Sequence, residues 1–241
     1  MSAGGTDAHG HVTFGLALLS FAAGSMDAIA FFALGGVFTS AMSGNTILLG
    51  IGMGQGHFSA ALHSFAAILG YVTGVGVSSL SLAKLGRGSG WTLGLEALFL
   101  GAFVIVWISV GAPASSLAIY VLIGISAIAM GLQGGIGRAL GVPGVMTVIF
   151  TSTYTALVSD LVERARDGHR PLFTALATRQ LASLAAYLGG AVIAGLIAAH
   201  WLRVVPFLPF VAVLVLLAGQ RLNLIRFGHE SPSSPTGPRR A

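Results

Sequence analysis

Apolar runs about twenty residues long, the length an α-helix needs to cross roughly 30 Å of hydrocarbon, dominate this chain. Six of them read as full crossings, at Val12–Leu34, Ala60–Ala83, Trp91–Gly111, Ser115–Gly137, Thr174–His200 and Val204–Leu222. Only 8% of the residues are charged and 55% are hydrophobic, against about 25% charged in an ordinary soluble domain. A surface so poor in charge cannot face water over most of its area. The soluble classes are excluded, and an integral membrane protein remains. The expected fold is an all-α polytopic membrane protein of about six transmembrane helices, with the lipid bilayer as its first partner.

Two further apolar stretches, Phe38–Gly54 and Val142–Leu161, lie between the six. If both crossed, Lys84 and Arg87 would face the side opposite to Arg164, Arg166 and Arg170. If both enter and return on the same side, the basic residues sort. Lys84, Arg87, Arg138, Arg164, Arg166, Arg170, Arg221, Arg226, Arg239 and Arg240 become cytoplasmic, and only Arg203 stays outside. The positive-inside rule favours this second arrangement, with both termini in the cytoplasm. The net charge of +5 then reads as orientation, and no nucleic-acid partner is expected. Gly35-Gly36 and Ser43-Gly44 interrupt the first stretch, as a re-entrant loop requires. Backbone broken at that depth must be buried in protein or line a cavity. No Lys or Arg precedes Val12, so the first run reads as a retained span rather than a secretory signal. The polar ends, 1–11 and 228–241, predict disorder.

The halves, 12–111 and 115–222, echo each other. Ala33-Leu34-Gly35, Thr39, Ser43-Gly44-Asn45-Thr46 and Gly70-Tyr71-Val72-Thr73-Gly74 keep the order of Ala139-Leu140-Gly141, Thr147, Thr151-Ser152-Thr153-Tyr154 and Ala186-Tyr187-Leu188-Gly189-Gly190. Small residues recur at every fourth position, at Ala66, Gly70, Gly74 and Ser78 and again at Ala182, Ala186, Gly190 and Ala194. Such a stripe lets two helix backbones approach closely. Three crossings per half make the repeat an inverted one, the plan of many transporters.

Asp27, Ala33-Leu34-Gly35-Gly36-Val37-Phe38 and Met42-Ser43-Gly44-Asn45, with Gly131-Leu132-Gln133, Arg138, Val142-Pro143-Gly144-Val145 and Thr147, carry a family resemblance. Over roughly 14–225 the chain resembles the YoaK-like family of bacterial inner-membrane proteins. The resemblance implies about six spans and that compartment, with small-molecule transport as the attached expectation, and it implies no reaction. Ser43 stands where the family usually has Thr, and Gly134 where it usually has Asn.

Asp27 is the sharpest single feature, an acid deep in the first span with no base within a turn. Intramembrane acids read first as functional groups, here a proton carrier; the alternative is a structural group capping a broken helix. Ser43, Gly44, Asn45 and Thr46 would open the returning arm of the first loop, either offering free N–H groups to a polar solute or serving as ordinary caps. Gln133 reads as the repeat counterpart of Asp27, and Thr151 and Thr153 would extend the inner half of the same path. Bonding to a nearby helix carbonyl is the plainer role for those threonines. Glu96 and Arg179 are expected to pair or to gate the inner mouth; Arg179 could instead snorkel. None of the seven histidines lies mid-span and none is spaced i, i+4 from another, so no metal or other cofactor is expected.

These residues support a transporter or channel for a small polar solute, proton-linked through Asp27. A membrane-embedded enzyme is disfavoured: there is no cysteine, no intramembrane histidine and no Gly-x-Ser-x-Gly. A non-transporting assembly subunit is the other reading, since the small-residue stripes could pack against a second chain, including another copy in a homo-oligomer.

Overall fold

The computed structural model describes residues 4–83, 89–110, 116–139, 150–168 and 173–222. These form eight helices: α1 (Gly4–Ala33), α2 (Met42–Gly54), α3 (Phe58–Ala83), α4 (Ser89–Val110), α5 (Ser116–Ala139), α6 (Phe150–Arg166), α7 (Ala175–Trp201) and α8 (Phe207–Arg221). Among the described residues there is no strand. Parts of α1, α3, α4, α5 and α7 are long and apolar enough to cross a membrane. α8 is the shorter sixth, 15 residues long, or about 22 Å at 1.5 Å per residue. It starts late because the chain leaves α7 through tight turns at 202–206 that end on Pro206.

One segment differs from expectation, and another lies partly outside the described residues. α1 reaches back to Gly4, so most of the polar segment 1–11 is helical where its composition predicts disorder. Extending an existing helix costs far less than nucleating one. The stretch Val142–Leu161 is described only from Phe150, where α6 begins; 140–149 lie outside the described residues, as does the tail 228–241. α6 carries its charges at its far end, where Arg164 pairs with Asp160 at 3.1 Å, a solvated-surface arrangement.

The small-residue stripes are consumed inside the chain. Gly70 lies against Gly124 and Ala127, Gly74 against Ile128 and Gly131, and Ser78 against Gly135, so α3 and α5 run parallel with their backbones touching. α1 meets α7 in the same way, through Gly24 on Tyr187 and Gly190 on Phe21 and Ser25. α4 and α8 are antiparallel, with Gly90 near Gln220 and Gly101 near Phe210. Gly35, just beyond α1, lies against the His63 ring early in α3, so α3 returns from the end that α1 reaches. α8 reverses α7 through the turns at 202–206, and with these contacts α1, α4 and α7 share one direction, opposed by α3, α5 and α8.

Leu19, Met26, Leu93, Phe103, Leu122, Met130 and Leu216 pack into one buried core among these helices. Leu69, Leu98, Ile105, Leu117, Leu188 and Leu196 point outward and exposed. A soluble protein would not leave such a girdle bare; in a bilayer it is the lipid-facing surface.

Candidate functional site

α1 ends where Gly35 and Gly36 take φ of +83° and +79°, a conformation that side-chain-bearing residues resist. The chain then doubles back alongside α1, with Thr39 and Ser40 level with Asp27, and α2 starts from that depth. Residues 34–41 are therefore a re-entrant connection, broken backbone inside the helical bundle.

Asp27, 2% exposed, satisfies much of it. Its Oδ1 accepts from the Thr39 and Ser40 backbone N–H groups, both at 2.7 Å, and from Thr39 Oγ1 at 3.0 Å. Its Oδ2 accepts from Ser40 Oγ at 2.5 Å and from Tyr187 Oη at 2.7 Å. Five polar contacts, two of them from backbone N–H groups, saturate this one carboxyl. Asn45, fully buried, does the same for Phe38: its Oδ1 accepts from Phe38 N at 2.9 Å and its Nδ2 donates to Phe38 O at 2.6 Å. Three consecutive residues at membrane depth thus take their main-chain partners from two side chains, meeting the requirement that buried backbone be paired.

The remaining expected residues divide sharply. Ser43 is exposed, Gly44 makes room for the Phe38 ring, and Thr46 Oγ1 donates to Met42 O at 2.9 Å, ordinary helix behaviour. Gln133 does not join Asp27: its Nε2 donates to Leu19 O at 2.8 Å, two turns further down α1. Nor is it the packing counterpart of Asp27. Gly24 and Gly131 each meet a tyrosine carbonyl, of Tyr187 and Tyr71, and Gly190 and Gly74 meet the Phe21 and Ile128 carbonyls. That register aligns Asp27 with Gly134, one residue after Gln133. Thr151 is exposed and Thr153 buried; Thr151 O accepts from Thr155 Oγ1 at 3.0 Å. Glu96 and Arg179 do not pair. Glu96 is fully buried with both carboxyl oxygens unpartnered, Arg179 is half-buried on α7, and α4 packs chiefly on α5 and α8.

Thr39, Ser40 and Tyr187 complete the site and were not singled out by the chemistry of the sequence. A signal existed for Tyr187, which repeats Tyr71, since a phenol inside a span must find a partner. Tyr71 of α3 also lies within electrostatic reach of Asp27. Behind the loop, Gly35, Gly36, Leu48, Gly52, His57 and Ser64 border a cavity of about 90 Å³, room for about three waters.

A bundle of long apolar helices, girdled by lipid-facing side chains and holding a clamped re-entrant loop, defines a polytopic integral membrane protein. The chain belongs to the family described as protein of unknown function (DUF1275), which matches residues 15–219. It is similar to the UPF0700 transmembrane protein YoaK of Bacillus subtilis (strain 168), at 27% identity over 212 residues, 87% of this chain and 94% of that protein. No solved structure matches it.

Proposed function

We propose that the chain is a small-solute transporter or channel of the bacterial inner membrane, with both termini in the cytoplasm and no enzymatic activity. The observation that carries this reading is the loop 34–41, which a chain built only for anchoring does not need. Broken backbone at membrane depth occurs where it lines a path or a binding site, and the cavity behind Gly35 and Gly36 has the size of a small polar solute or a few waters.

Helix directions support an inverted repeat. α1, α3 and α4 alternate in one sense, α5, α7 and α8 in the other, and the α1/α7 contact repeats the α3/α5 contact glycine for glycine. Arg138 and Arg221 close helices at the end where α4 and α7 begin, and Arg203 lies at the opposite end, as the positive-inside rule asks of cytoplasmic termini.

Proton linkage through Asp27 has a specific geometry. Both partners of Oδ2 are hydroxyls, which rotate and can accept as well as donate. A proton on Oδ2 would reverse one of those bonds, with the Tyr187 hydroxyl turning to accept, while Ser40 Oγ still donated and Oδ1 kept the backbone of Thr39 and Ser40. The Tyr187 contact joins the first half to the second, so the reversal would act where the halves meet. The assembly-subunit reading loses its support, because the stripes on which it rested pack within the chain.

Proteoliposomes holding wild-type or Asp27→Asn protein, screened for solute-dependent proton flux against pools of small metabolites, test this. A solute-dependent signal lost in Asp27→Asn is expected. Solute movement without protons in both would leave transport standing and remove Asp27 as the coupling group. Silence from both folded proteins would overturn the reading.

A further inference from the structure

Asp27 is saturated with donors, whereas Glu96 has none. Glu96 sits on α4 about 9 Å in from the start of its span at 1.5 Å per residue, fully buried, with Oε1 and Oε2 both lacking hydrogen-bond partners. Thr92, one turn earlier and equally buried, has an unpartnered Oγ1. Ser20, Ser78, Gln133 and Ser183 also carry buried oxygens without partners. These residues lie on α1, α3, α5 and α7, and each falls within about 12 Å of the same end of the bundle, the end where α1, α4 and α7 begin. Two contacts link three of these helices: Gln133 Nε2 of α5 donates to Leu19 O beside Ser20 on α1, and Ser78 of α3 lies against Gly135 of α5.

A buried carboxylate left unpaired costs several kcal/mol, so Glu96 needs a positive charge. Among the described residues nothing bonded to it supplies one. The helices packed on α4 are α5, α8 and, over a short stretch, α3. Their described titratable groups are Tyr120 and Arg138 on α5, Arg221 on α8, and His63 and Tyr71 on α3, and none bonds to Glu96. α4 itself has no other charged residue.

We propose that Glu96 is an exchangeable site for one monovalent cation, a proton or a sodium ion, at the same depth as a set of buried hydroxyl and amide oxygens. A single carboxylate balances a single charge, and oxygen donors suit a hard ion. The site deepens the transport reading by naming a coupling-ion position distinct from Asp27, and its test does not depend on transport.

The test is labelling of the intact protein in detergent with dicyclohexylcarbodiimide, which adds whole to a neutral carboxyl in apolar surroundings and leaves a stable N-acylurea located by peptide mass. The expected result is an adduct at Glu96, lost in Glu96→Gln, retained in Asp27→Asn, and at least ten-fold weaker as pH is raised. Protection by sodium chloride but not choline chloride identifies sodium; equal labelling in both identifies the proton. Absence of an adduct at Glu96 in folded protein, or labelling insensitive to both pH and sodium, overturns the proposal. Glu96→Gln is nearly isosteric and removes no hydrogen bond, and a thermal transition matching wild type confirms that loss of the adduct reflects the missing carboxyl. Failure of solute flux with a normal Glu96 adduct would count against the transport reading alone.

Discussion

Tyr187 Oη donates to Asp27 Oδ2 at 2.7 Å across 160 residues of sequence. The bond fastens α7 to the carboxyl that holds the re-entrant loop against α1, so loop and helix pair behave as one unit.

Tyr187→Phe removes that donor and keeps the ring, which packs edge-on against Phe150 at 4.7 Å. Hydrogen bonds between membrane helices are worth about 0.6 kcal/mol on average and up to about 1.7. The variant is expected to fold with a loss toward the upper figure, read as a lower midpoint in detergent unfolding. Asp27→Ala is expected to cost several times more, because it strands two buried backbone N–H groups as well.

Asn45→Asp is a near-isosteric change that should be as damaging as Asn45→Ala. The amide Nδ2 donates to Phe38 O at 2.6 Å, and an oxygen in its place would face that carbonyl lone pair to lone pair. The loss expected is about 1–3 kcal/mol, the cost of a buried group left unsatisfied. Limited proteolysis within 34–41 should rise in step with the fall in stability.

Gly74→Ala and Gly76→Ala, two residues apart on α3, are expected to move in opposite directions. A Cβ at Gly74 collides with the Ile128 carbonyl, while one at Gly76 meets nothing within 4 Å. Overpacking costs about 1–3 kcal/mol, whereas alanine in an open helical position gains up to about 1 kcal/mol. Paired thermal melts in one detergent measure both.

Ser43→Ala and Thr46→Val should be close to neutral, within about 0.5 kcal/mol. Ser43 is exposed and the Thr46 hydroxyl serves its own helix. Equal solute flux in both variants is the expected outcome if the path runs behind the loop rather than past these side chains.

The spans could be read from the sequence because hydrocarbon imposes a length on apolar runs. α3, α4, α5 and α7 end within a few residues of their expected limits. Gly35-Gly36 announced the break, since adjacent glycines are a poor continuation for a helix. The roles of Asp27 and Asn45 could not be read, because a carboxyl and an amide that serve a solute look the same in sequence as ones that serve a backbone three or more residues away. Ser40 gave no sign, being one serine among many until the loop folds back. The pairing of Glu96 with Arg179 failed for another reason: depth along a helix can be counted from sequence, whereas the direction in which a side chain leaves the helix depends on neighbours that sequence does not order.

The bond from Tyr187 to Asp27 also carries a consequence for biosynthesis. A ribosome adds about 5–20 residues per second, so the carboxyl of α1 enters the membrane on the order of ten seconds before its phenol partner has been made. During that interval the loop has its local donors and lacks the distant one, and the seat on α1 destined for Gly190 stays open. The nascent first half is thus a half-latched intermediate with a vacant groove, and the insertion machinery must shield that groove until the last third of the chain arrives to fill it.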